Sequence, residues 1–174
     1  MDFDGYEPLS LTADEIELLR VLRIMADKSG FEYGYAAQFP WVSEVFTSHA
    51  RNHVDIPAYI LNRHRISLYH AHTNRTFLST QDLRLLLNPN IDKICVITTD
   101  FVISSAYLGD GYRPDDAEFQ EASKYIGRDV DMELLDDTRF FEWTPEERVF
   151  HAVCEQSFRI ARHFKWTLEG GQYE

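Results

Sequence analysis

Cysteine is scarce in this chain. Its 174 residues hold Cys95 and Cys154 and no other cysteine, and neither sits in a Cys-x-x-Cys pair. That excludes a disulfide framework and a cysteine-rich zinc site. Both lie in apolar runs and read as small buried hydrophobes. Long apolar runs are missing too. No stretch approaches the ~20 residues that a membrane-spanning helix needs, and Met1 to Pro8 is acidic, without the apolar core of a signal peptide. The expectation is a cytoplasmic protein with no membrane partner. Positive charge is also short, with 17 Lys and Arg against 29 Asp and Glu, a net charge of −12. A nucleic-acid groove needs a basic face, so this balance argues against nucleic-acid partners. Repeats and low-complexity segments are lacking, which leaves one domain as the reading for this length. What is present, 44% hydrophobic and 14% aromatic residues, suffices for a core without staples.

Capping signals and periodicity divide the chain. Thr12-Ala13-Asp14-Glu15 is a capping box opening a helix that carries Ile16, Leu19, Leu22 and Met25 and closes at Ser29-Gly30. Phe31 to Ala37 reads as a short strand, broken by Phe39-Pro40-Trp41. Val42 to Thr47 and His53 to Ile56 read as further strand. Arg65 to Tyr69 is a strand, Ser79 to Leu87 a helix stopped by Asn88-Pro89-Asn90, and Lys93 to Thr99 a buried strand with Phe101 to Leu108 as its hairpin partner. Pro114 opens a helix to about Ile126. Arg128 to Arg139 looks charged and irregular, with Gly127 as its punctuation. Thr144-Pro145-Glu146-Glu147 opens a long helix to about Phe164, with Val149, Ala152, Val153, Ile160 and Phe164 as its buried side. The expected layout is a tail over 1–11, one domain over 12–166 (core 12–108, helical extension 112–166) and a flexible end over 167–174 that includes Gly170-Gly171. Strands alternating with helices give an α/β class with a mixed sheet flanked by helices.

His70-Ala71-His72 is the stretch that carries chemistry. Six residues separate His72 from Ser79, and Asp82 follows three further on. Two imidazoles and one carboxylate can hold a zinc ion and leave a fourth position open for water, the arrangement of a catalytic rather than a structural site. Residues i and i+2 share one face of a strand. Ser79-Thr80-Gln81-Asp82 is also a capping box, which alone would mark only a helix start. The combination places Ser79 and Asp82 at a helix terminus facing the loop after His72. His49, His53, His64 and His163 read as surface residues. His53 alternates with Asp55 but has no evident third partner. His151 and Glu155 stand at i, i+4, and a solvated helix face is the better reading of them.

The order of helix, strand with Glu and Gly, His-x-His strand, Ser-x-x-Asp helix and strand resembles the JAB-domain (JAMM, MPN+) metalloproteases over Thr12 to Tyr107, nearest to their prokaryotic and phage branch. Where that family has Pro after the second His, this chain has Thr73. The resemblance implies an α/β/α sandwich of the JAB/MPN, cytidine deaminase-like kind. It implies His70, His72 and Asp82 as ligands of Zn2+, Ser79 as the residue that helps hold a tetrahedral intermediate, and Glu32 as the catalytic Glu, with Glu44 as the alternative. The implied activity is zinc-dependent peptidase or isopeptidase hydrolysis of a protein or ubiquitin-like substrate. A non-catalytic JAB-like binding module is the competing expectation. A role near DNA is disfavoured by the acidic balance. The segment from Tyr112 onward, outside the resemblance, is free to cover the cleft, bind substrate or form a homodimer.

Overall fold

A computed structural model describes residues 5–172. Helix α1 (Ala13–Ser29) starts with the Thr12–Glu15 capping box and ends where Gly30 takes a φ of 73°. Strand β1 (Tyr33–Gln38) turns into β2 (Trp41–Val42), and a single turn, α2 (Ala58–Leu61), leads to β3 (Ile66–Ala71). Helix α3 (Thr80–Leu85), β4 (Ile91–Ile97) and β5 (Val102–Tyr107) follow. Helix α4 (Asp116–Asp136), a 3-10 turn (Thr138–Phe141), α5 (Pro145–His163) and β6 (Thr167–Gln172) complete the chain.

The strands form one mixed six-stranded sheet in the order β2-β1-β3-β4-β5-β6. Only β3 and β4 run parallel; the other neighbours are antiparallel. A parallel pair needs a crossover, and here the crossover carries α3. Side chains alternate across the pleat. Leu68, Ile94, Val96 and Ala106 face α3, α4 and α5, whereas Tyr69, Ala71, Cys95, Ile97 and Ile103 face α1. The result is helix, sheet, helix in three layers. Among the described residues no helix is long and apolar enough to cross a membrane.

Four sequence expectations need correction. Thr167 to Gln172, expected as a flexible end, is strand β6, paired along its length with β5. Gly171 serves close approach rather than fraying, since a Cβ on it would come within 2.9 Å of Leu9. The N-terminal segment that crosses there was expected as a tail. Met1 to Asp4 lie outside the described residues, but Tyr6 stacks on Phe158 and Glu7 bridges to Glu169. Helix α4 passes through Gly127 to Asp136, because Gly127 admits the Gln156 side chain of α5, 2.7 Å from where a Cβ would stand. The strands expected over 42–47 and 53–56 shrink to Trp41–Val42 and an isolated bridge at Phe46. Ser43 explains the interruption. Its Oγ accepts from Ala36 N at 2.9 Å, taking a bond the ladder would otherwise use.

Candidate metal centre

The site forms at the C-terminal end of β3, where the parallel pair opens toward α3. His70 lies in β3 on the face of the α3–α5 layer, and His72 is the first residue past the strand. Ser79 is the N-cap of α3 and Asp82 its third residue. The capping box is complete. Ser79 Oγ accepts from Asp82 N at 3.2 Å, and Asp82 Oδ2 accepts from both the Ser79 N–H and the Ser79 hydroxyl at 2.6 Å. The box that starts the helix therefore also fixes the rotamer of the carboxylate.

That carboxylate faces both imidazoles. Asp82 Oδ1 is 3.2 Å from His70 Nε2, and Oδ2 is 3.5 Å from His72 Nε2. All three side chains are buried, and one ligand atom from each lies within 4.8 Å of the others. A tetrahedral ion with bonds of about 2.0–2.1 Å holds its ligand atoms about 3.3 Å apart, close to the two separations between Asp82 and the imidazoles, so the three residues could hold a metal ion. Two further observations agree. His70 Nε2 is buried without a hydrogen-bond partner, despite its nearness to Asp82. His72 Nδ1 donates to the Thr76 carbonyl at 2.7 Å, which leaves Nε2 as the lone-pair nitrogen of the neutral ring. The metal's identity is open on this geometry, though a set of two imidazoles and one carboxylate suits zinc.

Electrostatics follow from burial and mutual contact. Burial opposes the charged form of His72, but Asp82 and then Glu32 outweigh it and raise the ring to about 9. Burial likewise opposes the charge on Asp82, and His70 and His72 overcome it, holding the carboxyl well below its usual range. The charged His72 ring and the Asp82 carboxylate thus stabilise each other.

Glu32 stands just before β1. The antiparallel register pairs Tyr33 with Ala71 and Gly34 with His70, so Glu32 falls across from His72. Its backbone is held on both sides, N–H to Ala50 O at 2.9 Å and carbonyl from Thr47 Oγ1 at 2.7 Å. The side chain is 5% exposed and lines the same cleft as His70, His72, Ser79 and Asp82. Burial pushes its carboxyl up, against a partial pull from the two histidines. Glu44 is exposed and lies outside that lining. Gly34 matters locally. A Cβ there would come 2.7 Å from the Phe46 ring, which packs over the strand beside His70.

Three comparisons bear on identity. No family model, curated protein or solved structure matches the chain. The reading of the site therefore stands on its geometry.

The cleft, about 640 Å3, draws on residues that sequence reasoning passed over. His53 and Asp55, read as surface residues, are exposed and line its rim. Val149 and Val153, read as the buried side of α5, form a wall of it with Leu85, and Val149 is 58% exposed. Their helical spacing was visible, but nothing in it told a cleft wall from a core face. His151 and Glu155 do not form a pair: the ring stacks on Trp143 at 4.0 Å, and Glu155 accepts from Arg159 at 2.6 Å.

Proposed function

We propose that the chain is a metal-dependent hydrolase of an amide bond, a zinc peptidase or isopeptidase with a JAB/MPN-like site. The single observation that supports this most is the convergence of His70, His72 and Asp82, at cation-ligand separations, in a cleft that also holds the buried carboxylate of Glu32. When bound, a divalent ion supplies Lewis acidity and lowers the pKa of a coordinated water to about 7. Glu32 takes the proton of the attacking water and returns it to the departing amine nitrogen, and burial, which raises its carboxyl, makes it a stronger base than an exposed glutamate. Asp82 holds its position through the capping box and His72 through the Thr76 carbonyl. Ser79 lines the cleft, and its hydroxyl can turn from Asp82 toward a developing oxyanion. The substrate class is a protein or ubiquitin-like conjugate.

Metal analysis of wild type beside His72→Ala tests the centre. The expected result is one zinc per chain in wild type and none in the variant, and equal content in both would remove the reading. Hydrolysis of a ubiquitin-like fusion is then measured against Glu32→Gln. That variant is expected to keep its zinc and lose at least about 100-fold in turnover.

A further inference from the structure

Arg23 lies on the apolar stripe of α1, beside Leu19, Leu22 and Ala26, and is 1% exposed. An aliphatic side chain would complete that stripe at no desolvation cost, whereas a guanidinium brings a charge and five donors into it. The donors are poorly served: Nε has no partner. Nη2 donates to Asp27 Oδ1, one turn along the same helix. Nη1 donates to the backbone carbonyl of His72, on another element and at the edge of the candidate metal centre.

That carbonyl is at a weak point of the chain. The pairing of β3 with β4 ends at Ala71–Ile97, so His72 is the first residue beyond the ladder, followed by the partly exposed loop from Thr73 to Thr76. Besides a longer contact of Thr76 Oγ1 with its ring at 3.4 Å, three hydrogen bonds hold it there. Its N–H donates to Ile97 O at 2.9 Å, its ring Nδ1–H to Thr76 O at 2.7 Å, and its carbonyl accepts from Arg23. The first two come from the sheet and from the loop itself. Arg23 supplies the one tie from the α1 layer, and Asp27 braces its outer edge.

From this geometry we infer that Arg23 is a positioning residue for the metal centre, fixing the His72 backbone so that Nε2 points at the ion. The inference rests on the metal reading above. Groups behind a ligand typically change metal affinity about 10- to 100-fold when removed, and Arg23 acts as such a group through a main-chain atom.

The test is Zn2+ affinity by competition with a chromophoric chelator, together with the visible spectrum of the Co2+-loaded protein, for wild type, Arg23→Gln, Arg23→Lys and Asp27→Ala. Arg23→Gln is expected to bind Zn2+ about tenfold or more weakly and to shift the Co2+ bands. Arg23→Lys keeps a donor for the carbonyl and is expected to recover part of the loss. Asp27→Ala removes a half-exposed brace and leaves the buried stripe intact, and is expected to show a smaller loss in the same direction. Should Arg23→Gln not fold, the other two variants decide. Wild-type zinc affinity and unaltered Co2+ bands in the folded variants would overturn the inference while leaving the metal centre standing. A wild type that binds no zinc would overturn the metal centre and this inference with it.

Discussion

At the scale of single residues, the candidate centre sets a proton and a cation in competition for the same side chains, if it binds metal as proposed. In the metal-free protein His72 is held charged up to about pH 9, with Asp82 as counter-charge. A raised histidine contributes stability that is fully present below the unfolded value of about 6.5 and is lost as pH rises through about 9. The metal-free protein is therefore expected to melt at lower temperature at pH 9.5 than at pH 7, with His72→Ala flattening that slope in thermal scans. Zinc uptake near pH 7.5 should expel about one proton from the site. Calorimetry in two buffers of different protonation enthalpy reads this directly, and a buffer-independent heat would contradict it. The cluster of His70, His72 and Asp82 was legible because His-x-His and Ser-x-x-Asp each have a local geometric meaning, one face of a strand and one turn of a helix. Glu32 could be placed only by analogy, since what brings it to His72 is strand register. Arg23 was invisible, because in sequence it is one charge among several on an amphipathic helix.

At the scale of elements, local chemistry settled the helices better than the strands. Thr12, Ser79 and Thr144 all cap as their sequences indicate, each with its acid three residues on. The cap on α3 has two tasks, so its loss has two consequences. Ser79→Ala is expected to cost about 1 kcal/mol of stability by denaturant unfolding. It should also weaken zinc binding about tenfold, because Asp82 loses the hydroxyl that aims it. A stability loss with unchanged zinc affinity would separate the two tasks. The misread elements share one cause, contact between segments distant in sequence. Gly127 looks like a helix stop until α5 lays Gln156 against it, and Gly170-Gly171 looks like a frayed end until β5 pairs with it and Leu9 crosses it. Ser43 broke an expected strand by a side-chain bond that periodicity does not register.

At the scale of the whole molecule, the two faces of the sheet have different duties. One carries the candidate metal centre. Toward the other, Glu169 is 2% exposed and accepts from Lys93 Nζ at 3.0 Å, Ser105 Oγ at 2.8 Å and the Ser10 hydroxyl. Burial opposes its charge, but these partners outweigh burial and hold its carboxyl below the usual range. A depressed carboxylate contributes stability present above its unfolded value of about 4.3 and lost as pH falls through its lower folded value. Glu169→Gln is expected to lower stability at pH 7 by about 2 kcal/mol, with the gap to wild type closing below pH 4, as followed by urea unfolding across pH. A gap that persists in acid would mean packing rather than charge. The same carboxylate sets an order of assembly. Ser10 and Glu169 stand 159 positions apart, so a ribosome delivers the first long before the second. From the time β5 is made until β6 follows it, the nascent chain carries β5 with a bare edge and Lys93 without the Glu169 partner. The seam between early-made and late-made residues is thus the final closure, and the sheet becomes whole only once Glu169 has emerged from the ribosome.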